Sequence, residues 1–186
     1  MSHVIAVDPS IANVGVACFD LQGWRRGESF AQVVGRLAHY QVLRTEPQEP
    51  LAARLGDLFH GLRAVVQDHP RCARVYIELP AIAGVHRKRR GRQYSKTGLN
   101  AADLAKLDRA IGALVAAVAA ARVDVTLIPA SPIDKTLRLR IVLSQLRSHH
   151  HPLALNTRVS PDLLDAIWLG AMALTSPTYQ PSRTPT

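Results

Sequence analysis

The sequence predicts an α/β fold: a mixed five-stranded sheet with helices on both faces. Three observations predict it. Two short β-rich runs stand almost back to back at the start, helical and strand-like patterns alternate from Leu51 onward, and two Ser-Pro pairs mark helix starts near the end. Sequential strands followed by alternating units place antiparallel and parallel pairs in one sheet.

The elements follow in order. His3–Pro9 (HVIAVDP) is an apolar run ending in an acid, and Asn13–Phe19 (NVGVACF) is a second β-rich run. The pair reads as a hairpin with a connection of roughly four or five residues. A third strand is expected at Tyr40–Arg44 (YQVLR), while Gly23–Ala38 suits a helix or an extended loop. Leu51, Leu55, Leu58, Phe59, Leu62, Val65 and Val66 recur at helical spacing, which predicts a helix over Leu51–Val66. Cys72–Leu79 (CARVYIEL) reads as the fourth strand and Pro80–Gly98 as a long loop. Helical periodicity resumes at Leu99 and continues to Val118, and Val123–Ile128 (VDVTLI) is the fifth strand. Ser131-Pro132 suits a helix start, with serine as cap and proline at the first helical position, for a helix to about Arg147. Ser160-Pro161 repeats that signal for a last helix to about Leu174. The tail Ser176–Thr186, with three prolines, reads as disordered, which leaves residues 1–175 for the folded domain.

Composition narrows the class. A chain of 186 residues, 47% of them hydrophobic, suits one domain with a real core. No apolar run approaches the roughly 20 residues of a membrane span. Met1-Ser2-His3 leads straight into a strand, so no signal peptide is expected. Cys18 and Cys72 make neither a disulfide framework nor a CxxC zinc pair. A reducing compartment is therefore expected, the cytoplasm or another with access to DNA. The formal charge of +9 and pI near 10.4 favour a polyanionic partner, nucleic acid above all. A generally arginine-rich surface is the plainer alternative.

Four acids fall where a packed α/β domain would otherwise place neutral residues. Asp8 ends the first strand and Glu78 ends the fourth, after Val75-Tyr76-Ile77. Asp162 and Asp165 lie about one turn apart at the start of the last helix and share a face. Each has a simpler explanation on its own: a turn at Asp8-Pro9-Ser10, or a helix-dipole partner at Asp162. Together they can converge into one cluster of negative charge. Close, buried carboxylates repel unless something compensates, and hard divalent cations do so through oxygen ligands. Two Mg2+ or Mn2+ ions about 4 Å apart would activate a water and stabilise the leaving oxygen of a phosphodiester.

This ordered set resembles the RuvC-type Holliday-junction resolvases, crossover junction endodeoxyribonucleases of the RNase H-like superfamily. The string Val4-Ile5-Ala6-Val7-Asp8-Pro9-Ser10, with Gly15 opening the second strand, is similar to the family's first motif. Tyr76-Ile77-Glu78 is similar to the second, and Asp162-Leu163-Leu164-Asp165-Ala166 to the terminal D-x-x-D-A motif. The resemblance spans roughly residues 3–175. It implies an RNase H-like sheet, metal-binding and catalytic acids at Asp8, Glu78, Asp162 and Asp165, and a site for two divalent ions. It also implies that Lys135 approaches the scissile phosphate and neutralises developing charge. A solvated helix lysine is the alternative for that residue. Where relatives carry a second lysine further along this helix, the present chain offers Arg138, Arg140 and Arg147. Where many relatives place an aromatic residue three positions after the glutamate, this chain has Ala81.

His86–Lys96 (HRKRRGRQYSK) holds Arg87, Lys88, Arg89, Arg90, Arg92 and Lys96 with no acid, and begins eight residues after Glu78. Those cations are expected to follow DNA phosphates, with Tyr94 stacking on an unpaired base. A solvated loop or a basic tag is the alternative. His149-His150-His151 is a tempting metal trio, but consecutive side chains diverge, so a polar helix end is expected. The implied activity is metal-dependent resolution of four-way junctions by paired cuts. A two-fold junction suits a homodimer, for which Leu51–Val66 or Leu99–Val118 could supply the surface. Competing readings are a broader nuclease for flaps and forks, or a catalytically silent DNA-binding module. An actin-like ATPase would need a second phosphate-binding hairpin, which the sequence lacks.

Overall fold

The computed structural model describes residues 2–79, 101–156 and 159–178. Five strands, β1 (His3–Asp8), β2 (Asn13–Asp20), β3 (Leu37–Arg44), β4 (Cys72–Leu79) and β5 (Val125–Pro129), form one sheet in the order β3-β2-β1-β4-β5. The β1–β2 and β2–β3 pairs are antiparallel; β1–β4 and β4–β5 are parallel. This is the mixed sheet the sequence predicts. Strand β1 lies at its centre, and Val4, Ile5, Ala6 and Val7 are wholly buried. Burial on both faces explains why the run is continuously apolar and does not alternate.

Helices α1 (Phe30–Val34), α2 (Leu51–Asp68), α3 (Ala101–Ala120), α4 (Lys135–Ser148) and α5 (Pro161–Thr175) cover both faces. Strand side chains alternate between two cores. Val4, Ala6, Ala17, Phe19 and Tyr76 pack with α5 and with residues of α1 and α4. Ile5, Val7, Val16, Cys18, Val75 and Ile77 pack with α2 and α3. The apolar stripes of α2 (Leu58, Leu62, Val65, Val66) and α3 (Ala110, Leu114, Ala117, Val118) are thus spent inside the chain. Periodicity reports that a stripe is buried, not against what. Leu51, Leu55 and Phe59 of the same α2 pattern stay partly exposed.

Other local expectations also shift. The ambiguous segment Gly23–Ala38 contains α1, started by a capping box in which Ser29 and Gln32 satisfy each other's backbone N–H groups. Strand β3 begins earlier than expected, at Leu37, and β5 covers Val125–Pro129. Helix α4 starts at Lys135, capped by Asp134, whose carboxylate accepts from the Leu137 N–H at 3.2 Å. The expected Ser131 cap instead closes a turn, accepting from the Ile133 N–H at 3.3 Å. Helix α5 does begin with Ser160 at the cap position and Pro161 in its first turn. Among the described residues, no helix is long and apolar enough to cross a membrane.

Helix α5 is apolar nearly all round, and residues Leu163 to Ala171 are all buried. It lies against β1 and β2 by means of two glycines. A Cβ on Gly170 would collide with the Phe19 ring, and one on Gly15 would collide with the Asp162 carbonyl and stand 2.7 Å from the Leu163 nitrogen. Backbone cannot yield as a side-chain tip can. Gly15→Ala is therefore expected to push the first turn of α5 off the sheet and to cost about 1–3 kcal/mol. Urea unfolding measures this, and an unchanged midpoint would show that α5 does not rest on β2 there.

Candidate active site

The site is assembled at one end of the sheet. Strands β1 and β4 are adjacent and parallel with Val7 beside Ile77, so their terminal acids, Asp8 and Glu78, emerge side by side. Ala6 and Tyr76, two residues earlier, face α5, so both acids do too. Asp8 is 9% exposed and Glu78 8%. Gly15 is the ladder partner of Asp8, and its missing side chain admits the first turn of α5. That turn delivers Asp162, which is half-open, and Asp165, which is 2% exposed. The connection after Asp8 is pinned from outside. Thr45 Oγ1 and Arg54 Nη2 donate to the Ile11 carbonyl at 2.6 and 2.8 Å, and Ser10 Oγ accepts from the Ala12 N–H at 3.2 Å.

Two cations from α4 enter the same pocket. Lys135 Nζ lies 2.6 Å from Asp165 and 3.9 Å from Asp162. Arg138, one turn on and buried, places Nη1 3.3 Å from Glu78 Oε1 and 3.3 Å from Asp165 Oδ1. The structure thus brings together Asp8, Glu78, Asp162, Asp165 and Lys135. It adds Arg138, which the sequence placed among three equivalent arginines. A cavity of about 360 Å³ opens on this cluster, lined by Asp8, Ser10, Lys135 and Asp162 and, from α3, by Asp103 and Lys106. Lys106 was not foreseen. It looks like any helix-surface lysine, and only the packing of α3 beside the β1–β2 turn brings it here.

Electrostatics show how crowded the acids are. Burial first, then the charges of Glu78 and Asp165, push the Asp8 carboxyl up to about 9, with Lys135 pulling only partly the other way. Burial also raises Asp162, against the opposing pull of Lys135. Burial works against the Lys135 ammonium, but Asp165, Asp8 and Asp162 together outweigh it and raise its pKa above the ordinary lysine value.

The donor set fits a hard divalent cation. All four acids offer carboxylate oxygen, and they outnumber the cations beside them. Asp165 Oδ1, though buried, has no hydrogen-bond partner among the described residues, because its contact with Arg138 is close but not aligned. The acids are not drawn into a closed ligand shell, and among the described residues no three such side chains form one. Lys135 and Arg138 lie between them instead.

The other predicted residues fall elsewhere. Arg87, Lys88, Arg89, Arg90, Arg92, Tyr94 and Lys96 lie outside the described residues. The three histidines diverge, as expected of a helix end. His149 Nε2 meets the Ala31 carbonyl at 2.7 Å, and His151 Nδ1 accepts from the Leu153 N–H at 3.2 Å. Both sit at the far end of α4, about 20 Å from Lys135 at 1.5 Å per residue.

Fold and site together define a mixed α/β protein with a cluster of acids at the ends of two adjacent parallel strands. More particularly, the fold is RuvC-type. T. thermophilus RuvC in complex with a Holliday junction substrate is similar over 93% of this chain and 92% of its own, with 20% sequence identity and a TM-score of 0.61. A second Thermus thermophilus RuvC structure is similar over 92% of each chain, with 19% identity and a TM-score of 0.58. No protein-family profile and no curated protein matches the chain.

The raised Asp8 carboxyl gives a stability prediction. The folded protein keeps a proton that the unfolded chain releases, so metal-free stability falls as pH rises from about 4 towards 9. Asp8→Asn is expected to flatten that slope and to stabilise the protein at neutral pH by about 0.5–2 kcal/mol. Urea unfolding in EDTA across that range checks it, and equal slopes in both proteins would contradict the placement of Asp8 beside Glu78 and Asp165.

Proposed function

We propose that this chain is a divalent-metal-dependent endonuclease that resolves four-way DNA junctions. One observation carries the reading: Asp8, Glu78, Asp162 and Asp165 gather with Lys135 into one cluster on a RuvC-type fold. One solved protein of that fold is in complex with a Holliday junction substrate. The excess of basic charge suits the same partner.

In this reading Asp8, Glu78, Asp162 and Asp165 hold Mg2+ or Mn2+, two ions in the working complex. When bound, the metal supplies water activation and stabilisation of the leaving oxygen. Lys135, half-exposed at the rim, offers its ammonium to a phosphate oxygen and opposes charge building there. Lys106, also half-exposed on the same cavity, is placed to hold the neighbouring stretch of DNA backbone. Burial of Asp8, Glu78 and Asp165 keeps bulk water from screening these charges. Arg87, Lys88, Arg89, Arg90, Arg92 and Lys96 would track the DNA backbone and Tyr94 would stack on a base. A homodimer would match the two-fold symmetry of the junction with two pockets.

Purified protein with Mg2+ or Mn2+ is expected to cut a synthetic four-way junction more readily than flaps, forks or linear duplex. Asp8→Asn and Glu78→Gln are each expected to lower cleavage by about 100-fold or more while leaving binding in place. A wild-type protein that binds but never cuts would favour the silent-module reading, and equal cutting of every branch would favour the broader nuclease. Replacing Arg87, Lys88, Arg89, Arg90 and Arg92 by Gln should weaken junction binding and flatten its dependence on salt. An unaltered salt slope would remove that segment from the DNA interface.

A further inference from the structure

The reading above assigns Lys135 a task and leaves Arg138 without one. Yet Arg138 is 8% exposed and bridges Glu78 and Asp165 with a single Nη1, at 3.3 Å to each. We propose that Arg138 is a positioning residue that takes the place of one metal ion: it holds Glu78 and Asp165 together before DNA arrives and limits the DNA-free protein to a single bound divalent cation. The inference rests on the metal-dependent reading.

The argument is one of charge and of access. With all four carboxylates ionised to receive metal, Lys135 and Arg138 offset two of them and Lys106 offsets Asp103, so two negative charges remain, which one divalent ion balances. A second divalent ion would leave the pocket with net positive charge in a poorly solvated place. Arginine does not give up its proton under any ordinary condition, so Arg138 cannot be neutralised to make room. Its grip is nonetheless imperfect. Aligned charge-assisted bonds run at about 2.7–2.9 Å, whereas both contacts here are 3.3 Å and Nε, also buried, has no hydrogen-bond partner among the described residues. The guanidinium is held by charge and burial and can be displaced once a DNA phosphate adds negative charge to the cavity. Arg140 and Arg147 lie further along α4 and pair with none of these acids in any ion pair of the described residues.

Isothermal titration of the full chain with Mn2+, without DNA, tests this. One ion is expected per wild-type chain. Arg138→Met, which keeps the apolar stem and removes the charge, is expected to bind a second ion or to bind the first roughly tenfold more tightly. Arg138→Lys should restore the wild-type count. A merely structural arginine would lower stability without raising metal uptake. Two ions in the wild type, or a Met variant with wild-type number and affinity, overturns the proposal. Should the Met variant fail to fold, the wild-type count alone still decides. No Mn2+ uptake by the wild type would overturn the metal-dependent reading itself, and this inference with it.

Discussion

Crowding of carboxylates in a half-dry pocket is the constraint on which the rest of the structure depends. Left to themselves, four acids at the ends of β1 and β4 and the start of α5 would repel and seek water. Asp8 shows the strain most plainly, with its carboxyl pushed up to about 9 by burial and by Glu78 and Asp165. The fold answers with two cations from one helix. Lys135 meets Asp165 and Asp162, and Arg138 meets Glu78 and Asp165. What remains unbalanced is the property a divalent ion would need.

The scaffold has to hold that arrangement against its own repulsion. It does so with apolar packing on both sides of β1, so that neither Asp8 nor Glu78 can retreat without disturbing a core. Helix α5 is apolar almost throughout, and close approach at Gly15 and Gly170 fixes it on the sheet. The two acids in its first turns are carried along by packing that has nothing to do with their charge. Thr45 and Arg54 secure the turn beyond Asp8 from the opposite side. Stability is thus spread over the domain, while the buried Asp8 carboxyl opposes folding at neutral pH.

The likeness to RuvC structures at about one residue in five covers nearly the whole chain. Fold similarity at such distance is intelligible here. The sheet order, the two-sided core and the glycine contact constrain residue size and polarity at many positions but identity at few. Within the pocket, part of the charge is balanced by an arginine buried between two acids.

Much of this was legible from the sequence because the signals are local. Continuous apolar runs marked β1 and β4, helical spacing marked α2 and α3, and Ser160-Pro161 marked the start of α5. Acids placed after such runs at Asp8 and Glu78, or one turn apart at Asp162 and Asp165, stood out for the same reason. Other features depended on distances between elements, which no local pattern carries. Asp134 rather than Ser131 caps α4, the stripes of α2 and α3 face the sheet, and Lys106 reaches the pocket from another helix. Above all, Arg138 and not Arg140 or Arg147 meets the acids, because only the packing of α4 against α5 decides which side of that helix turns inward.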